Sequence, residues 1–156
     1  MIADAKFVHT NLVALDWRRL ARFYEEVLGC VPVPPERNLS GPDYERGTGV
    51  LGARARGIHL LLPGHGPEGP TLEIFQYASV ESSVPAAVNR PGFGHVAFSV
   101  SSVQEARERF LQAGGSSVGD IVQTPISPET VVTWCYLRDP EGNIVELQSR
   151  SQRAAV

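Results

Sequence analysis

An internal repeat is the feature that most constrains how this chain can fold. His9 lies seven residues before Asp16, and His95 lies seven residues before Ser102. Asp16 and Ser102 each precede an apolar pattern with helical spacing, so both are predicted to be helix N-caps. Such a matched offset indicates that one structural unit occurs twice along the chain.

Both halves predict the same order of elements: strand, helix and three further strands. Helices are expected from Asp16 to Gly29 and from Ser102, which opens a capping box, to the glycine pair at Gly114. The predicted strands are residues 7–14, 30–33, 57–62 and 71–77, then 94–100, 117–123, 131–137 and 144–148.

The polar, glycine-rich residues 36–56 predict a long excursion with one helical turn after Pro42. We expect a single domain over residues 1–156, with one module at about 6–78, a linker at about 79–92 and a second module at about 93–149.

Each half has one histidine near the start of its first strand and one glutamate in its last strand. These residues are His9 and Glu73 in the first half and His95 and Glu146 in the second. If the halves pack about a pseudo-two-fold axis, all four converge, and two imidazoles with two carboxylates form a ligand set for a divalent transition metal. One such residue is usually structural, but four at equivalent positions favour a metal, because a buried unpaired carboxylate is costly.

Local patterns leave other assignments open. Glu146 alternates with apolar residues and shares a face with Gln148, whereas the pattern around Glu73 does not decide where that side chain points. His59 is a weaker candidate, either lining a cleft or satisfied within its strand, and His65 is expected in a solvated loop.

Composition argues against several functional classes. The net charge is −3, and no basic cluster suggests binding to nucleic acid or to an anionic membrane. No apolar run approaches the roughly 18 residues that span a bilayer, and the first residues lack the apolar core of a signal peptide. Cys30 and Cys135 are expected to be buried, reduced thiols of a cytoplasmic protein.

Two motifs make the resemblance to a family specific. G-F-G-H-V-A-F-S-V opens the second half and Y-L-R-D-P-E-G-N-I-V-E-L-Q closes it. With the repeated element order, this chain resembles the vicinal oxygen chelate superfamily over about residues 6–149. The superfamily includes glyoxalase I, methylmalonyl-CoA epimerase, extradiol dioxygenases, fosfomycin-resistance transferases and bleomycin-binding proteins. The resemblance implies an α+β fold of two paired β-α-β-β-β modules, whose curled mixed sheets surround a cleft.

The resemblance also implies roles for particular residues. His9, Glu73, His95 and Glu146 match the four metal positions of glyoxalase I. Extradiol dioxygenases and fosfomycin transferases use three ligands, which correspond to His9, His95 and Glu146. Methylmalonyl-CoA epimerase has Gln where this chain has Glu73, and bleomycin-type binders generally lack the set. Glu73 therefore favours the lyase and isomerase branch.

The resulting functional hypothesis is a metal-dependent lyase or isomerase acting on a small substrate with adjacent oxygens. The metal, which is Zn, Ni, Co, Fe or Mn, would stabilise an enediolate, while Glu73 and Glu146 act as base and acid. Two alternatives are an Fe(II)-dependent extradiol-type dioxygenase and a non-catalytic, ligand-sequestering protein. The resemblance also implies a homodimer.

The expected substrate contact departs from glyoxalase I. The stretch T-P-I-S-P-E-T-V-V contains no Lys or Arg, whereas glyoxalase I has a basic loop there that helps to hold glutathione. An anionic group of the substrate is instead expected to meet the arginines of the long excursion, which are Arg37, Arg46, Arg54 and Arg56.

Overall fold

A computed structural model describes residues 3–82 and 84–152 of the chain. The chain divides into two compact units, with the boundary after Ser82. The first unit contains β1 His9–Val13, α1 Trp17–Leu28, β2 Val31–Ser40, α2 Pro42–Thr48, β3 Arg54–Leu61 and β4 Thr71–Tyr77. The second contains β5 Val96–Ser99, α3 Val103–Gln112, β6 Ser116–Ser117, β7 Val122–Pro125, β8 Thr130–Arg138 and β9 Ile144–Gln152.

Helix α1 begins and ends where the sequence predicts. The Asp16 side chain accepts a hydrogen bond from the Arg19 N–H at 3.1 Å, and Gly29 ends the helix with φ of 69°. That positive φ suits glycine, which has no Cβ to clash. The apolar side of α1 packs on β3 and β4, where Leu60 and Leu72 are fully buried. This packing assigns one face of the first sheet to the core.

The first sheet has the strand order β1-β4-β3-β2, with β1 parallel to β4 and the other pairs antiparallel. The prediction that the second strand stops at residue 33 was wrong. After a register shift between Val33 and Arg37, β2 continues to Ser40 and pairs with β3, which begins at Arg54. Polar side chains and prolines are tolerated there because β2 is an edge strand, so no hydrophobic alternation marks it. The helical turn expected after Pro42 is the two-turn helix α2.

The second unit repeats the plan with a shorter helix. Ser102 caps α3 by accepting from the Glu105 N–H at 3.3 Å, and Phe110 buries its ring completely. Its sheet has the order β5-β9-β8-β6, and β7 also pairs with β8. The single strand predicted for residues 117–123 is therefore wrong. It is two short strands, because the chain leaves the ladder around Gly119 and resumes pairing at Val122.

The α+β class is confirmed, with one mixed sheet in each unit and few helices. Cys30 and Cys135 are both buried free thiols, and burial raises the pKa of Cys30 to about 12. No helix within residues 3–82 and 84–152 is long and apolar enough to cross a membrane.

Candidate metal centre

Glu73 lies on the face of the first sheet that turns away from α1. Its neighbours Leu72 and Ile74 are fully buried, and alternation along β4 puts Glu73 on the other side. One Glu73 oxygen, Oε2, lies 3.7 Å from Nε2 of His9, which begins β1. The structure thus decides an orientation that the local sequence left open, and it brings together the two residues predicted for this half.

Strand register brings two further side chains to Glu73. His59 on β3 and Asn11 on β1 are its direct cross-strand partners. The Nε2 atom of His59 is 3.0 Å from Glu73 Oε1, and the Asn11 amide donates to Glu73 Oε2 at 2.9 Å. Both carboxylate oxygens therefore face nitrogen atoms of neighbouring strands.

His59 is closely packed among these groups. Its ring meets the His9 ring edge to face, with centroids 5.7 Å apart, and its Nδ1 is 3.1 Å from the Thr71 hydroxyl oxygen. Burial lowers the pKa of His59, and the charges of Arg37 and His9 lower it further, while the charge of Glu73 opposes the shift. The electrostatic surroundings thus favour a neutral imidazole, the form that binds metals.

His9, His59 and Glu73 form one cluster in which one ligand atom from each residue lies within 4.8 Å of the others. Two imidazole nitrogens and a carboxylate oxygen suit Zn, Ni, Co, Fe or Mn, so the donor set fits the metal expected from the sequence. The sequence made His59 a weaker candidate than His9, and the structure places both in one cluster. A usable signal was present, because His59 and Glu73 are equidistant from Gly66, in the loop that joins two antiparallel strands.

The second unit pairs its own histidine and glutamate. His95 Nε2 lies 2.9 Å from Glu146 Oε2. Glu146 is on the face of β9 opposite the fully buried Val145 and Leu147, as the alternation predicts. His9 and Glu73 therefore meet in one unit, and His95 and Glu146 meet in the other. That all four bind one ion stays a prediction.

Aromatic residues flank the second pair. Tyr136 is the cross-strand partner of Glu146, and its ring centroid lies 5.0 Å from that of His95. Burial, followed by the charge of Glu146, raises the pKa of Tyr136. The Trp134 ring lies 5.0 Å from the Tyr136 ring, and its N–H donates to the Thr124 hydroxyl at 3.0 Å. Tyr136 and Trp134 thus place a row of aromatic rings beside the His95–Glu146 pair.

The other candidate residues lie in different positions. His65 is exposed in the turn before β4. Arg37 is paired with Gly57 and so shares the face of the sheet that carries His59. Arg54 and Arg56 alternate to the other face of β3, and Arg46 forms an ion pair with Asp43 at 2.8 Å. Of the three arginines in strands, Arg37 is thus the one on the face of Glu73.

A pair of tyrosines adds hydroxyl groups to the same region. Tyr77 shares its face of β4 with Glu73, and α2 brings the Tyr44 ring alongside it, with centroids 6.3 Å apart. The Tyr44 hydroxyl donates to the Tyr77 hydroxyl at 2.9 Å. Burial is the main cause that raises the pKa of Tyr44, and the charges of Tyr77 and Glu73 add to it. Because the Tyr44 proton is used in this bond, the Tyr77 hydroxyl is the one that can donate to a further acceptor.

The two units share one plan, because each sets a histidine against a glutamate on the sheet face opposite its buried strand residues. The profile of the Glyoxalase/Bleomycin resistance protein/Dioxygenase superfamily matches residues 6–147, and the chain belongs to this superfamily. The match extends across both units.

Individual relatives agree with this assignment. Lactoylglutathione lyase of Escherichia coli O157:H7 is 28% identical over 142 residues, which cover 91% of this chain and 90% of the relative. A glyoxalase family protein from Bacillus cereus has a similar structure, with a TM-score of 0.80 and 22% identity over 96% of this chain and 99% of the other. The fosfomycin resistance protein FosX of Listeria monocytogenes, in complex with Mn(II) and sulfate, has a TM-score of 0.51 and 14% identity, covering 96% and 93%.

Proposed function

We propose that this protein is a metal-dependent lyase or isomerase that moves a proton next to a carbonyl group of a small substrate with adjacent oxygens. In this proposal His9, Glu73, His95 and Glu146 are metal ligands. The observation that carries it is the repeated pair: a histidine Nε2 lies 3.7 Å from Glu73 in one unit and 2.9 Å from Glu146 in the other.

A bound divalent cation would supply Lewis-acid stabilisation of the negative charge that develops on the substrate oxygens. The protein would supply the proton transfer. Glu73 and Glu146 carry carboxylate oxygens suited to accept a proton from carbon and to return it to the neighbouring position. Arg37, on the face of Glu73, would attract an anionic part of the substrate, and Tyr77, which accepts from Tyr44, would donate a hydrogen bond to one of its oxygens.

The relatives support this assignment. A lactoylglutathione lyase matches nearly the whole chain, and a structural neighbour is a complex with Mn(II). The metal would be Zn, Ni, Co, Fe or Mn, which elemental analysis of the purified protein identifies. The stretch T-P-I-S-P-E-T-V-V lacks a cationic residue for glutathione, so the substrate screen should also contain acyl thioesters and other small oxygenated compounds.

Solvent-deuterium exchange tests the proposed reaction. The metal-loaded protein should catalyse exchange into 2-oxoaldehyde hemithioacetals or acyl thioesters, and Glu73→Gln, which keeps an oxygen ligand but removes the proton acceptor, should lower turnover by about 10²-fold or more. Metal content should change little in this variant. No exchange in the metal-loaded wild type would contradict the proposal.

Two further measurements separate the two alternative functions from the proposed one. A dioxygenase that uses His9, His95 and Glu146 would consume oxygen with a catechol, and Glu73→Gln would leave its rate nearly unchanged. A ligand-sequestering protein would show no turnover, and its ligand affinity would not depend on added metal. Oxygen uptake and metal-dependent binding are therefore measured alongside exchange.

We also propose a cytoplasmic homodimer in which residues 1–156 act as one domain. Exposed apolar side chains just before the edge strand β1, where Phe7 is 64% and Val8 61% exposed, support a covering partner. The buried free thiols support a reducing compartment.

Light scattering tests the dimer: a monomer at micromolar concentration with full activity would contradict it. A single cooperative unfolding transition would support one domain, and cell fractionation tests the location.

A further inference from the structure

We infer that His59 is a third metal ligand of the first unit, beside His9 and Glu73. The inference rests on the proposed function for the roles of His9 and Glu73, and it adds a ligand that the repeat does not contain. The cluster lies entirely within residues 9–73, and its ligand atoms are within 4.8 Å of one another.

The two nitrogens of His59 are the first argument. Nδ1 is 3.1 Å from the Thr71 hydroxyl oxygen, and Nε2 is 3.0 Å from Glu73 Oε1. A neutral imidazole carries one N–H. When Nδ1–H donates to Thr71, the lone pair of Nε2 faces a lone pair of the carboxylate, and a cation between them removes this repulsion. Metal-binding histidines usually donate their second ring N–H to an oxygen in this way.

The support of the ligands is the second argument. His9, Glu73 and His59 come from β1, β4 and β3, which are adjacent and hydrogen-bonded. The ring of Phe75 packs against the His59 ring, with centroids 6.0 Å apart, and Asn11 holds Glu73 Oε2 by a hydrogen bond of 2.9 Å. Ligands on paired strands with locked side chains form a preorganised site, which strengthens metal binding.

The composition of the cluster indicates how it would bind. Two imidazoles and one carboxylate leave open positions on a four- to six-coordinate ion for water or substrate. A conventional hydrogen bond is the competing arrangement: Nε2–H of His59 donates to Glu73, and the Thr71 hydroxyl donates to Nδ1. The two arrangements differ in whether Nε2 of His59 binds the ion or stays hydrogen-bonded to Glu73, and this difference is measurable.

Co²⁺ binding to the full-length, chelator-treated protein tests the inference. We expect His59→Asn to weaken Co²⁺ binding by about 100-fold relative to the wild type, in keeping with the large cost of losing site residues. His65→Asn, a change of an exposed loop histidine, is the matched control and should have no effect.

A proton NMR spectrum of the Co²⁺ form gives a second measurement that does not depend on affinity. Exchangeable imidazole protons of ligated histidines shift far downfield, so His59→Gln, which retains a hydrogen-bonding side chain, should show one such signal fewer than the wild type. Thermal unfolding of each variant verifies that it is folded.

Two results would overturn the inference. If His59→Asn and His59→Gln leave the Co²⁺ affinity unchanged, His59 is a hydrogen-bond partner of Glu73 and not a ligand. The same conclusion follows if the number of shifted signals is equal in His59→Gln and in the wild type. Neither result concerns proton transfer. The proposed function fails separately, when the metal-loaded wild type shows no deuterium exchange.

Discussion

Glu73 and Glu146 occupy equivalent strand positions in the two units, yet their surroundings differ. The antiparallel neighbour of Glu73 is His59, whereas that of Glu146 is Tyr136. On the parallel side, Glu73 is paired with Asn11 and Glu146 with the equivalent residue Ala97. The repeat thus keeps the histidine–glutamate pair and changes the residues on either side of it.

This difference indicates that the two carboxylates have different roles. Both oxygens of Glu73 have nitrogen partners, from Asn11 and His59 at 2.9 and 3.0 Å. Within the described parts of the chain, Glu146 has one polar side-chain partner, His95 at 2.9 Å. A carboxylate with hydrogen-bonding partners at both oxygens is held in one orientation and is therefore suited to serve as a metal ligand. A carboxylate with a partner at a single oxygen is better suited to accept a proton.

The largest effect is expected from neutralising the less restrained carboxylate. Glu146→Gln should lower turnover by about 10³-fold, within the usual range for general acid–base catalysis, and by more than Glu73→Gln does. Turnover is measured with metal content verified for both variants. A larger loss of turnover in Glu73→Gln than in Glu146→Gln would reverse the roles proposed for the two carboxylates.

A second prediction concerns the aromatic residues beside the two glutamates. In the first unit the ring of Phe75 lies over Gly57, and in the second the equivalent pair is Gln148 and Trp134. A Cβ at Gly57 would be 2.0 Å from the Ile74 carbonyl oxygen and 2.3 Å from the Phe75 ring. Gly57→Ala should therefore lower the free energy of unfolding by about 3 kcal/mol, measured by denaturant titration.

Gly47→Ala is the matched control for that change. Gly47 lies in α2, and an added Cβ would meet nothing within 4 Å. Because alanine favours a helix, this variant should be as stable as the wild type or up to about 1 kcal/mol more stable. Equal losses in both variants would contradict the steric argument.

A third prediction tests the turn that sets the register of β8 and β9. Asp139 is 3% exposed, and its carboxylate accepts from the backbone N–H groups of Glu141 and Asn143 and from the Asn143 amide, each at 2.9 Å. Asp139→Ala leaves these donors without an acceptor, so the unfolding free energy should fall by about 2 kcal/mol. The exposed Asp120→Ala should change it by less than about 0.5 kcal/mol.

The smallest effect is expected at the parallel neighbours. Asn11→Ala removes one hydrogen bond to Glu73 and should weaken metal affinity by about tenfold, the lower end of the range for residues that orient ligands. Ala97→Asn introduces the same side chain at the equivalent position of the second unit. Calorimetric metal titration compares the two, and an unchanged affinity in Asn11→Ala would show that Asn11 does not hold Glu73 for the metal.

Local patterns predicted the helices well because caps and helical periodicity act over a few residues. Asp16 and Ser102 cap α1 and α3 as expected. The repeat predicted that its two histidines and two glutamates converge on one point. The structure brings His9 to Glu73 and His95 to Glu146, and the convergence of all four stays a prediction. The extent of β2 was missed, because a polar edge strand receives its order from pairing with β3 and carries no hydrophobic signal of its own.

The sequence by itself determined the two-fold repeat, the α+β class and one histidine and one glutamate in each half. Strand pairing in the tertiary structure decided which residues surround those glutamates. His59 and Tyr136 are distant in sequence from Glu73 and Glu146, and they become direct neighbours through the pairing of β3 with β4 and of β8 with β9. Register is set by backbone hydrogen bonds and by burial of the opposite sheet face, so it becomes readable once the strands are paired.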